Sequence, residues 1–163
     1  MHFSPTHTLC FVRREGEVLM GLKRRGFGMG KLTGIGGKIE AGETPAVAAA
    51  REVAEEVAIT LQPGRLRWCA DLDFRFPLRP AWSMPVRVFV AELPTGAQAR
   101  ASDEIDPCWL AVQALPFERM WDDGRYWLPG ALRERGARWR FQFAADNSTV
   151  QLASRVTAGA ARR

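Results

Sequence analysis

The 163 residues are 47% hydrophobic and 25% charged, with a net charge of +5, enough chain to bury one core without a disulfide or a structural metal. No apolar stretch approaches the roughly 20 residues of a membrane span, and the start, MHFSPTHTLC, lacks the basic flank and apolar run of a secretion signal. His2 and His7 are the only histidines, which argues against a histidine triad or a His-ligated zinc site.

Catalysis, if any, then falls to carboxylates, Lys and Arg. The odd, widely spaced cysteines Cys10, Cys69 and Cys108 read as buried free thiols in a reducing compartment, so a cytoplasmic protein without membrane contact is expected. The positive charge suits a polyanionic ligand or nucleic acid, and charge alone does not separate the two.

In chain order, 7–13 (HTLCFVR) and 17–23 (EVLMGLK) alternate as strands joined by a tight turn. Seven glycines between Gly26 and Gly42 inclusive predict backbone bent closely around something. The helix expected at 44–58, TPAVAAAREVAEEVA, has Thr44 to cap it, Pro45 in its first turn and alanines in its body. Strands follow at 66–76 and 84–92, with a short one at 107–112. A second helix is expected over 126–135, after WDDGR. The hairpin 138–144 and 149–156, turned by Asp146-Asn147-Ser148, closes the pattern. Strands around two helices predict an α+β fold, an α/β/α sandwich on a mixed sheet. One domain over 1–156 is expected, with 157–163 as a frayed tail.

At about 100° per residue, Glu52, Glu55 and Glu56 fall on one arc of the first helix. Ala50, Val53, Ala54 and Val57 gather opposite, toward a core. Three acids on a polar face are ordinarily a solvated surface, although like charges at that spacing repel. The upstream Gly36-Gly37-Lys38 and Gly42-Glu43 shift the reading. Carboxylates beside loop carbonyls make an oxygen-only site that suits Mg²⁺, with Mn²⁺ as a substitute, rather than zinc.

Residues 36–59, GGKIEAGETPAVAAAREVAEEVAI, resemble the signature of the Nudix hydrolases. Gly37, Glu43, Arg51, Glu52, Val53, Glu55, Glu56 and Ile59 match in register, and Ala58 stands where the pattern has glycine. The resemblance implies hydrolysis of a nucleotide diphosphate linkage. By it Glu52, Glu55 and Glu56 hold the metal, with the Gly36 or Gly37 carbonyl and Glu43 nearby. Arg51 then pairs with Glu43 or Glu55, and either Glu56 or Glu52 acts as base.

GLKRRGFGMGKLTGIGGK, SDEIDPCW and PFERMWDDGRYWLP look like the MutT-type Nudix enzymes that sanitise the nucleotide pool by cleaving oxidised purine triphosphates such as 8-oxo-dGTP to monophosphate and pyrophosphate. That likeness implies a base pocket of Phe27, Phe74, Met84, Trp121, Asp123 and Trp127, lined also by Phe143. Thr8 and Lys23 would lie near the nucleoside, and Glu104 would be an outlying metal or catalytic carboxylate. Trp68, Trp109 and Trp139 are expected in the core. Lys23-Arg24-Arg25 reads as a solvated run or as phosphate contacts.

Two departures bear on the base. Thr33 replaces an asparagine of those enzymes, offering a hydroxyl in place of an amide. Their adjacent aspartates align with Asp123 and Gly124, so the acid pair here is displaced to Asp122-Asp123. Either the loop slips to restore the pair, or one carboxylate reads the base. Other Nudix substrates (ADP-ribose, a dinucleoside polyphosphate, an RNA 5′ end) and a non-catalytic nucleotide sensor are the alternatives. No stable nucleic-acid partner is expected, and a monomer is slightly favoured.

Overall fold

The computed structural model describes residues 2–133 and 136–157. Alternating apolar residues form β1 (His7–Arg14) and β2 (Glu17–Lys23), joined at Gly16 with φ of 67°. The two strands pair only next to the turn, Arg13 with Val18 and Arg14 with Glu17. Beyond it they separate, and the glycine-rich segment enters the gap. Leu32–Thr33 (β3) pairs with Gly21 and Leu22 of β2, while Ile35 and Lys38 bridge to Cys10 and His7 of β1. Sequence periodicity does not predict β3, a strand of 2 residues, too short to show alternation. The wedge requires glycine. A Cβ on Gly34 would lie 2.7 Å from the Phe11 ring, and one on Gly36 would collide with the Thr8 carbonyl.

The other elements are α1 (Pro45–Val57), β4 (Arg67–Arg75), β5 (Met84–Glu92), β6 (Ile105–Ala111), α2 (Gly124–Ala131), β7 (Ala137–Phe143) and β8 (Val150–Val156). The sheet runs β3-β2-β1-β5-β4-β7-β8, with β6 on β2. It is mixed, since β1 with β5 and β4 with β7 are parallel. Ala49, Ala50, Val53 and Val57 of α1 pack on one face with Cys10, Val12 and Phe89. Trp127, Leu128 and Ala131 of α2 pack on the other with Phe11, Leu72 and Phe141. The α+β sandwich expected from the sequence is therefore the fold.

Helix α1 begins as its sequence dictates: the Val47 N–H donates to the Thr44 hydroxyl at 3.3 Å, and Pro45 fills the first turn. It ends at Ala58, which takes the left-handed conformation with φ of 60° and ψ of 29°. Glycine adopts that geometry without a Cβ clash. Burial on α1 corrects one expectation, for Ala54 is exposed and Glu56 is buried. Around the helix Glu56 lies about 60° from Val53, as close to the buried stripe as Ala50, whereas Ala54 lies about 100° away.

Three other expectations need correction. Strand β6 starts at Ile105, because its register with β2 runs from Lys23 opposite Ile105 to Glu17 opposite Ala111. Pro107 is tolerated there since among the described residues β6 pairs with β2 alone, leaving an edge where a missing N–H costs nothing. Helix α2 starts at Gly124, two residues before the expected 126, and gives way to a turn at Leu132. The expected 134–135, and 158–163 of the expected tail, lie outside the described residues.

Trp68 is 41% exposed rather than core, lying against Gly136 and donating its Nε1 to Asp71 at 3.1 Å. Trp109 and Trp139 are half-buried. Cys10 and Cys69 are buried as expected and Cys108 partly so. Burial pushes the first two thiols up to about 12, which makes them poor nucleophiles. Buried Asp71 accepts both Arg87 Nε at 2.8 Å and Arg87 Nη2 at 3.0 Å, and Arg138 Nη2 at 3.2 Å, tying β4, β5 and β7 together.

Ala58→Gly relieves the left-handed strain at the end of α1. Urea unfolding should show a gain of about 1 kcal/mol.

Candidate active site

A cleft of about 340 Å³ opens where the ends of β1, β2, β3, β4 and β5 meet the N-terminus of α2. Its walls are aromatic. Phe76 stacks on Phe143 with centroids 4.3 Å apart and rings 1° from parallel. Trp121 stands edge-on to both, and Phe27 stacks on Trp121 at 5.0 Å and 19°. Phe27 also meets Phe76 and Trp82 edge-on, so the Gly-Phe-Gly loop supplies a ring with several packing partners. Gly28 permits this approach, since a Cβ there would sit 3.0 Å from Trp121 Nε1. Flat apolar faces of this kind suit a planar heterocycle.

Few polar groups enter the cleft. Asp123 is 4% exposed, and Trp127 donates its Nε1 to Asp123 Oδ2 at 2.7 Å. Burial raises the Asp123 carboxyl to about 6, against the pull of the Trp127 hydrogen bond. The buried Thr8 hydroxyl also lines the cleft and has no hydrogen-bond partner among the described residues, which leaves it free for a ligand. Thr33, Lys23, Phe74 and Met84 line the cleft as well.

At one end the cleft reaches α1 through Glu56. The Glu56 Oε2 atom is buried without a hydrogen-bond partner among the described residues. Desolvation raises its carboxyl to about 7, with the Lys23 charge acting in the opposite direction. Glu52 lies against Gly37, where a Cβ would come within 2.5 Å of its Oε1. Burial moves the Glu52 carboxyl upward too, partly offset by Arg51.

Arg51 is the hub of the carboxylates. It donates Nε and Nη2 to Glu43 at 2.7 and 3.0 Å, Nη1 to Glu52 at 2.9 Å, and Nη2 to the Lys38 carbonyl at 3.1 Å. Glu55 lies further off, 3.3 Å from Nη1, with its side chain 60% exposed. The Arg51 pairing holds the Glu43 carboxyl down at about 2.

The orphaned Glu56 oxygen, the Glu52 carboxylate and the nearby glycine carbonyls form an oxygen-only donor set that fits a hard divalent cation. The Gly37 carbonyl accepts the Thr8 N–H at 2.9 Å, whereas among the described residues the Gly36 carbonyl accepts no backbone hydrogen bond. Among the described residues no three acids are gathered tightly enough to hold a metal as they stand. Glu55 turns to Arg51, and Glu104 turns to Arg25.

Asp122 does not line the cleft. Its Oδ2 accepts the Val150 N–H at 2.8 Å and its Oδ1 lies 2.9 Å from Arg125, so of the two aspartates Asp123 lines the cleft and Gly124 lies beside it. Phe76 was not singled out by sequence reasoning, although alternation in LDFRF puts it on the same face as Phe74. Met120 and Ile105 also line the cleft and carried no signal beyond hydrophobicity.

A family model of the NUDIX domain matches residues 4–130. The chain is 36% identical over 151 residues to a Danio rerio protein named oxidized purine nucleoside triphosphate hydrolase, covering 93% of this chain and 94% of that one. It is 34% identical over 150 residues to a Mus musculus protein of the same name, covering 92% and 93%. Among solved structures, a MutT protein from Bacillus halodurans shares the fold with a TM-score of 0.69 at 19% identity, covering 93% of this chain and 97% of that one.

The Asp123 carboxyl titrates at about 6 in the fold against an ordinary 3.8, so the native state retains a proton that the unfolded chain has released. This group's contribution to stability is therefore greatest below pH 4 and falls as pH rises through 6. Asp123→Asn should remove that loss, on the order of 2–3 kcal/mol. Urea unfolding of both proteins between pH 4 and 7 should show the variant gaining on the wild type as pH rises.

Proposed function

This chain belongs to the NUDIX family, and from that premise we propose that it hydrolyses purine nucleoside triphosphates, oxidised ones foremost, to the monophosphate and pyrophosphate. It would thereby keep damaged nucleotides out of DNA synthesis. One observation carries the reading: Glu56, a buried residue of the acid-bearing helix α1, stands in the wall of the aromatic cleft. A nucleotide whose base lies among Phe27, Trp121 and Phe143 would extend its phosphates toward that carboxylate. The names of the Danio rerio and Mus musculus relatives, each aligned over more than nine-tenths of its length, support the same substrate class.

Nudix hydrolases in general act with a divalent metal ion. In this chain Glu52, Glu56 and the Gly36 carbonyl would hold Mg²⁺, or Mn²⁺ in its place, with Glu55 and Glu104 as outlying carboxylates. Such a cation supplies charge neutralisation at the diphosphate and acidifies water. Through its hydrogen bonds Arg51 holds Glu43 and Glu52 in place and favours their charged forms, against the burial that raises Glu52. Lys23, whose charge acts on both Glu52 and Glu56, would meet a phosphate.

Of the two candidate bases Glu56 is favoured, because it is the one that lines the cleft where the phosphates would lie, within reach of a water to be activated. Asp123 and the Thr8 hydroxyl would read the base edge, with Thr33 beside them. Phe74, Met84 and Trp127 complete the pocket wall. A cytoplasmic monomer with no stable nucleic-acid partner completes the reading. No helix among the described residues is long and apolar enough to cross a membrane.

The test is product analysis with 8-oxo-dGTP. Wild type with Mg²⁺ should release the monophosphate and pyrophosphate, and chelation should stop it. Glu56→Gln should lower kcat by roughly 100-fold or more with an unchanged circular dichroism spectrum. Release of inorganic phosphate instead, or wild-type turnover by folded Glu56→Gln, would contradict the assignment.

A further inference from the structure

Two consecutive arginines leave β2 and grip the turn that precedes β6. The β2–β6 ladder ends with Lys23 opposite Ile105, and the Arg24 N–H extends it by donating to the Glu104 carbonyl at 2.9 Å. That bond sets Arg24 and Arg25 beside two acids. Arg24 pairs with Asp106 at 3.0 Å. Arg25 is more selective: its Nε donates to Glu104 Oε1 at 2.8 Å, and its Nη2 lies 2.6 Å from the same oxygen. Among the described residues Glu104 Oε2 accepts no hydrogen bond. The turn itself is closed by the Ser102 N–H donating to the Ile105 carbonyl at 3.0 Å and by the Glu104 N–H reaching the Ser102 hydroxyl at 3.3 Å.

Glu104 also stands at the edge of the cleft that α1 enters. Its chain neighbour Ile105 lies opposite Lys23 in the β2–β6 ladder, and Ile105, Lys23 and Glu56 line the same cleft. A carboxylate on a turn has free side-chain torsions, and two N–H groups on one oxygen remove that freedom while leaving the second oxygen open. A guanidinium can do this because its N–H groups are fixed in a plane, whereas an ammonium is a single point charge.

We propose that Arg25 is a positioning residue for Glu104, holding Oε1 so that Oε2 is available to the cation bound by Glu52 and Glu56. The inference rests on the reading of Glu104 as an outlying metal ligand. Arg25 itself touches neither substrate nor metal and acts through the carboxylate. The competing view is an ordinary surface ion pair, since the two side chains are 61% and 39% exposed and such pairs contribute little.

The experiment is Mn²⁺ binding without nucleotide, followed by the electron paramagnetic resonance signal of free Mn²⁺. Wild type, Arg25→Gln, Arg25→Lys, Glu104→Gln and the Arg25→Gln/Glu104→Gln double variant are compared, each checked by thermal melting. An exposed pair contributes little to folding, so Arg25→Gln should melt like wild type; if it does not, Arg25→Lys supplies the comparison. Arg25→Gln and Glu104→Gln should each weaken Mn²⁺ binding roughly tenfold, with Arg25→Lys between them and wild type. The double variant should bind no more weakly than Glu104→Gln alone. Weakening by Glu104→Gln but not by Arg25→Gln, or losses that simply add, would overturn the role of Arg25 and leave Glu104 as a ligand. Unchanged binding in Glu104→Gln would remove Glu104 from the metal site, and the inference with it.

Discussion

The rest of the molecule depends on the passage of Gly34–Gly37 between two strands that should have stayed paired. Strands β1 and β2 hold together for only two residue pairs, and the glycine segment takes the place of their missing hydrogen bonds through Cys10 and Thr8. Side chains are excluded on both sides, by Phe11 at Gly34 and by the Thr8 backbone at Gly36. The same segment then touches α1, where Gly37 abuts the Glu52 carboxylate. A single run of backbone thus fixes the floor of the aromatic cleft and its distance from the acidic helix. Substituting side chains into it would open the sheet or push the carboxylate aside, so fold and site share one constraint.

The second constraint is electrostatic. Glu56 sits within the buried stripe of α1 and carries an oxygen without a partner, an arrangement that costs stability. Arg51 limits the cost for its neighbours by satisfying Glu43 and Glu52 together, and its reach to the Lys38 carbonyl anchors the loop to the helix. Among the described residues nothing equivalent is provided for Glu56 Oε2. A group left destabilised amid otherwise satisfied carboxylates marks a place where a ligand completes the structure. Asp123 repeats the pattern at the other end of the cleft, with one donor, Trp127, for a fully buried carboxyl.

The acidic helix was legible because its signals are local. Thr44 and Pro45 marked its start, and the spacing from Gly37 to Glu56 carried the family resemblance. The 3.6-residue period, however, put Glu56 on the polar face and Ala54 toward the core, the reverse of their burial. What escaped was set by distant partners. Strand β3 is too short for periodicity and exists because β1 and β2 diverge. The displaced acid pair could not be resolved in sequence because the Val150 N–H, 28 residues away, captures Asp122. Lys23-Arg24-Arg25 looks like a solvated run until the β6 register brings Glu104 and Asp106 alongside. Trp68 was misjudged because a large ring suggests a core, whereas here it covers Gly136 at the surface.

The pocket differs from the MutT-type pattern where the base edge would be read, with Thr33 in place of asparagine and Gly124 in place of a second acid. Sites built on hydrogen bonds discriminate strongly when one is lost, so in the proposed reading discrimination would rest on Asp123, Thr8 and Thr33. The decisive measurement is kcat/KM with Mg²⁺ for 8-oxo-dGTP against dGTP and for 2-hydroxy-dATP against dATP. The account predicts that at least one oxidised base is preferred by roughly tenfold or more, about 1.4 kcal/mol of transition-state discrimination. Equal rates for each oxidised base and its ordinary counterpart would contradict it.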